Sequence, residues 1–159
     1  MNDLPPSGGL ASTGEVEALA DQLSAAADAL HKRIMKAVKA QRGPFSDEQQ
    51  AVLRALGDDE QLLRQHADSL YADAAAAVAP TLAVPQQHIM ALTSAAVEKI
   101  RKIGELGEVI GLVGGLLSLA GSAMSGNVAG VVDALEKVRT RLDGVLAHRP
   151  PPPPPPPKH

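Results

Sequence analysis

The chain has no cysteine and no tryptophan, and it carries a single phenylalanine, Phe45, and a single tyrosine, Tyr71. Without cysteine there are no disulfides, thiolate zinc sites or cysteine nucleophiles, although the compartment stays open. Two aromatic rings cannot form a base-stacking platform, and a net charge of −3 gives no general attraction to phosphate, so nucleic acid is not an expected partner. Residues 1–14 hold Asp3, no Lys or Arg, and no apolar run. A Sec-type leader is therefore not expected, and the reading is a cytoplasmic protein or one exported by another route.

Catalytic patterns are missing as well. His31, His66, His88, His148 and His159 show no HExxH motif and no i, i+4 pairing, so no metal face is expected. The carboxylates of Asp58, Asp59, Glu60, Asp68 and Asp73 stand at no spacing that implies paired acid–base chemistry. The Gly-rich stretch 104–126 lacks the Lys-Ser/Thr of a phosphate cradle. No enzyme, metal or cofactor is expected.

What the chain does contain is Ala, Leu and Val at helical spacing, which predicts an all-α fold. The organisation expected is a flexible arm over 1–11, an elongated bundle of about four long helices over 12–149, and a polyproline tail over 150–159. Pro5-Pro6 and Gly8-Gly9 mark the arm. Ser12 with Glu15 forms a capping-box pattern that opens a first helix, whose stripe Val16, Leu19, Leu23, Ala27, Leu30, Ile34 and Val38 runs to Gly43-Pro44. Ser46 with Gln49 opens a second helix, expected to kink at Gly57 and to close at Pro80–Pro85.

From residue 86 onward, Ile89, Ala96, Ile103, Ile110, Leu117 and Met124 recur every seventh position, interleaved with Leu92, Leu106, Val113 and Ala120. That a/d seam predicts one continuous third helix over 86–124, on the order of 58 Å long. Ser125-Gly126-Asn127 then turns the chain, and a fourth helix returns through Val128, Val131, Leu135, Val138, Leu142 and Val145. The pair makes a C-terminal hairpin, 86–149, with a Gly-rich apolar tip at 104–132. In this register Leu117 lies in the seam and Leu116 off it, so Leu117→Asp should unfold the hairpin and Leu116→Asp should spare it.

Two further faces of the third helix carry the functional expectations. Gly104, Gly107, Gly111, Gly114, Ser118, Gly121 and Ser125 share one side. Glycine inside a helix costs about 1 kcal/mol against alanine, so close packing is expected there, with Ala72–Ala79 as the intramolecular partner. Gly111-x-x-x-Gly115 adds a small-xxx-small pattern. Val109, Leu112, Leu116 and Leu119 form a third stripe that four helices would leave uncovered, and it is the expected contact for a partner or a membrane. Self-association or a helical protein partner leads. Membrane insertion is the alternative, because Val109–Val132 is 24 residues without a charge, although its Ser-Gly-Asn turn leaves neither arm long enough to span. Paired helices with an uncharged, Gly-rich hairpin are similar, over residues 103–132, to the membrane-inserting head of α-helical pore-forming toxins. That likeness is architectural and implies a lipid-dependent oligomer.

Two charge and composition features complete the reading. Lys32, Arg33, Lys36, Lys39 and Arg42 follow an acidic first half of helix one, a segregation expected first of cations at the negative end of a helix dipole, with docking to an anionic surface as the functional alternative. Pro150–Pro157 predicts a polyproline rod of roughly 25 Å that could enter an aromatic groove.

Overall fold

The computed structural model describes residues 8–102 and 106–147, with side chains as far as Gly144. Among them are five α-helices and no strand: α1 Thr13–Ala40, α2 Asp47–Ala72, α3 Gln86–Lys102, α4 Leu106–Met124 and α5 Val128–Ala147. A short 3-10 turn, Ala74–Ala77, follows α2.

Local chemistry sets most of the boundaries. Ser12 Oγ accepts from Glu15 N at the start of α1. At α2 the capping box is complete, with Ser46 N donating to Gln49 Oε1 at 2.9 Å and Gln49 N to Ser46 Oγ at 3.1 Å. Between α4 and α5, Gly126 takes φ +70, and Asn127 N donates to Ser122 O while Gly126 N donates to Ala123 O. This is a Schellman closure, which needs a residue free of the Cβ penalty at that φ. Asn127 Oδ1 then caps α5 through Gly130 N at 3.0 Å.

Cross-helix contacts give the directions. Tyr71 Oη donates to Asp21, Arg64 Nη1 meets Asp28 at 3.0 Å and His31 meets Glu60 at 3.0 Å, so α1 and α2 are antiparallel. Gln86 Nε2 donates to Glu15 O and Gln22 Nε2 to Ser94 Oγ, so α3 runs parallel to α1. Leu106 and Gly107 lie beside Gln49, Val52 and Leu53, while Met124 lies beside Ser69, Leu70 and Asp73, so α4 runs parallel to α2. It follows that α3 and α4 run in opposite directions. α1 packs on α2 and α3, α2 on α4, α4 on α5, and α3 on α5 and α4.

The continuous 86–124 helix is therefore corrected to two helices, with residues 103–105 outside the described part. The charges explain why. Lys99, Arg101 and Lys102 fill the last turn of α3, where cations suit the negative end of the dipole, and Glu108 sits in the first turn of α4, where an acid suits the positive end. Read together, they are an end followed by a start.

Folding back changes which face of α4 is inside. Val109, Leu112, Val113, Leu116, Leu119, Ala120 and Ala123 are buried, whereas the expected seam residues Ile110, Leu117 and Met124 are only half-buried. Part of the seam survives in α4 through Val113 and Ala120, and the rest in α3, where Ile89 and Ala96 are buried, and in α5, where Val131, Leu135, Val138 and Leu142 are buried. Burying four aliphatic side chains, each contributing about 1.5–3 kcal/mol, outweighs a heptad repeat that would have left them to solvent.

The amino-terminal arm is also corrected over its described residues. Leu10 is fully buried with φ 58, Leu10 N donates to Gln86 Oε1 at 2.9 Å, and Ala79 N donates to Leu10 O at 2.8 Å. Gly8 and Gly9 permit this strap, since a Cβ on Gly8 would stand 1.6 Å from the Leu82 carbonyl oxygen and one on Gly9 2.4 Å from Ile89 Cδ1. In α2, Gly57 lies within an uninterrupted helix that ends at Ala72, earlier than Pro80.

Three outcomes test this arrangement. Urea unfolding should show Leu116→Ala losing about 2–5 kcal/mol and Leu117→Ala clearly less. The aspartate pair should follow suit: Leu116→Asp abolishes the helical circular dichroism signal and Leu117→Asp retains it, the reverse of the seam expectation. Gly8→Ala should release the strap and lower stability by about 1–3 kcal/mol in the same assay.

Candidate functional site

The outward side of α4 is built from the small residues singled out in the sequence. Gly107 and Ser125 are exposed and Gly111, Gly114, Ser118 and Gly121 half-buried; Gly104 lies outside the described residues. Among the described residues, a Cβ placed on Gly107, Gly114 or Gly121 would meet nothing within 4 Å. Close intramolecular packing against Ala72–Ala79 is thus overturned: the aliphatic side of the helix took the interior, so the glycine side faces out.

Two glycines of this helix do meet neighbours. At Gly111 the Arg141 guanidinium from α5 lies 3.1–3.3 Å from a Cβ position, forming a roof over the helix backbone. Gly115 is buried against Val138, whose Cγ2 stands 2.9 Å from a Cβ position. The Gly111-x-x-x-Gly115 pair therefore sets the α4–α5 approach, half of it through an arginine guanidinium laid over Gly111.

Val109, Leu112, Leu116 and Leu119, expected as the contact for a partner or membrane, are core residues, each no more than 1% exposed. The reversal between α3 and α4 lays this face against α2, so the chain itself covers what a continuous third helix would have left open. What α4 presents outward is a line of glycine and serine, roofed at Gly111 by Arg141 and edged by half-buried Ile110 and Leu117. By length and composition α4 could cross a membrane, and only 44% of its most apolar stretch is buried. A helix wholly internal to a soluble protein would be covered more completely.

The cationic face occupies the last turns of α1. Lys32, Lys36, Lys39 and Arg42 are exposed, together with Met35 at 40% and Val38 at 42%, while Arg33 is half-buried. His31, Lys32, Met35, Lys36 and Lys39 border a shallow depression of about 520 Å³. Exposed aliphatic side chains among cations are the missing half of the sequence pattern, which had placed Val38 on the buried stripe. The buried part of α1 stops at Leu30 because α3 ends at Lys102.

Titratable side chains form surface networks. His31 and Arg64 both bond Glu60, and Arg64 also bonds Asp28, whose hydrogen bond holds the guanidinium more firmly charged. Such exposed pairs contribute about 0–1 kcal/mol each and act chiefly on register. Among the described residues no group of three or more His, Asp or Glu could hold a metal ion.

Asp59 stands apart, because burial first and the neighbouring Asp58 second raise its carboxyl above the ordinary 3.8. A raised acid in the folded state makes its contribution to stability below pH 3.8 and loses it as the pH climbs through the folded value. Asp59→Asn should accordingly melt at a higher temperature than the parent at neutral pH, and the difference should vanish below pH 3.8 in scanning calorimetry. The chain matches no family model, no curated protein and no solved structure.

Proposed function

We propose that this chain is a non-enzymatic assembly protein, a helical bundle whose α4–α5 hairpin presents the outward Gly/Ser line of α4 to a second copy. The observation that carries the reading is the open space at Gly107, Gly114 and Gly121. Among the described residues nothing requires glycine at those positions, yet each costs about 1 kcal/mol of helix propensity against alanine. A helix from another subunit, approaching backbone to backbone at Gly114 and Gly121, offsets that cost through close packing, and the lack of charge from Val109 to Val132 leaves the Arg141 guanidinium over Gly111 as the charge to be desolvated on this line.

A second reading is membrane association. The length and apolar composition of α4 favour it, as does the face formed by Lys32, Lys36, Lys39 and Arg42 with Met35 and Val38. Insertion would have to expose Val109, Leu112, Leu116 and Leu119 from the core, so it calls for lipid to trigger an opening of α4 and α5. Assembly through the glycine line asks only that the exposed Arg141 side chain swing off Gly111, and it ranks first.

Sedimentation velocity over a concentration series checks the proposal. The parent chain should associate in plain buffer. Gly114→Leu should weaken that association at least about tenfold, equivalent to 1.4 kcal/mol, while its monomer stays folded and melts no lower, because the added side chain starts in open space. A parent chain that remains monomeric throughout overturns the assembly reading; flotation with anionic liposomes that survives high salt would put the membrane reading in its place.

A further inference from the structure

An apolar groove of about 720 Å³ opens at the end of the molecule where α1 meets α2. Its walls are Ala37 of α1, Phe45 of the connecting loop, Val52 and Leu53 of α2, and Leu106 with Gly107 of α4. Phe45 is the chain's only phenylalanine and is half-buried on this wall. The groove meets the glycine line of α4 only at Gly107, and Gly114 and Gly121 lie outside it.

We infer that the groove is the intramolecular seat of the proline run Pro150–Pro157 of the same chain. Three observations converge on that occupant. The first is where α5 ends. α4 and α5 are antiparallel, with Gly111 against Arg141 and Gly115 against Val138. Carried to the last residue of α5, Ala147, that register reaches the first turn of α4, which is Leu106 and Gly107 of the groove wall. The second is reach. The steps from Ala147 to Pro150 span roughly 10 Å when extended, about one helix-to-helix spacing, and the proline rod adds roughly 25 Å beyond.

The third is chemistry. A polyproline helix offers rings and carbonyl acceptors but no backbone N–H, and it is bound by grooves that combine an aromatic face with side-chain donors. Here Phe45 supplies the face. Gln49 supplies donors, because the capping box commits its Oε1 to Ser46 N and leaves its amide nitrogen for a partner. Glu48 is the one charged residue of the lining, opposite in sign to the Arg149 and Lys158 that bracket the prolines. Seated there, the tail covers the apolar wall, and a competing proline-rich ligand would have to displace it.

The test exploits the absence of tryptophan. Phe45→Trp is compared in the full chain and in a chain whose Pro150–Pro157 is replaced by a Gly-Ser octamer. With the tail seated, tryptophan emission is blue-shifted and acrylamide quenching is severalfold lower in the full chain, at every protein concentration. An added eight-proline peptide should restore protection to the Gly-Ser chain. Equal emission and quenching in the two chains overturns the inference, and so does protection that grows with concentration, which would assign the tail to another copy. Should the tryptophan disturb folding, amide shifts of Phe45, Gln49 and Val52 in the unsubstituted groove, compared between the two tails, decide the question: unchanged shifts refute it.

Discussion

The arrangement of this protein depends on the burial of one aliphatic face of α4. Val109, Leu112, Leu116 and Leu119 cannot reach the interior if α3 and α4 form a single rod, because α3 lies along α1 in one direction and the remaining core lies along α2 in the other. Running α4 parallel to α2 places those side chains among the leucines of α1 and α2 and closes the array with α5. Everything outward about α4 follows from that inward choice: a helix has one opposite side, and here the opposite side is glycine and serine.

The same choice distributes order along α1 and α2. Both are longer than α3, so their shared end, from Ile34 to Val52, has no buried residue, whereas Leu30 and Leu56 just inside are fully buried. That end holds the cationic face on one side and the apolar groove at Phe45 on another. At the far end, the Gly8–Leu10 strap, Gln86 and Glu15 tie the start of α3 to the start of α1. One end of the molecule is thus sealed by hydrogen bonds and buried leucine, and the other is left to solvent or to a ligand.

Several features were legible beforehand because they rest on local physics. The caps at Ser12 and Ser46, the turn at Gly126-Asn127 and the seam of α5 each depend on residues within a few positions of one another. The split between α3 and α4 was legible too, in Lys99, Arg101 and Lys102 followed by Glu108, but the heptad repeat across it is the louder pattern. Periodicity records which residues could share a face. It does not record whether the helix continues between them.

The sequence by itself determined that the chain is helical, where four of the five helices begin, and that no charge interrupts 109–132. Tertiary structure alone decided which side of α4 is core, that the strap at Leu10 is docked, and that Phe45 lines a groove with Leu106. The physical reason is common to all three. α4 is apolar or small on every side, so its own pattern has no preferred interior, and the orientation is set by the neighbours whose leucines it meets. The strap and the groove join residues dozens of positions apart, through contacts that exist only once the helices have packed.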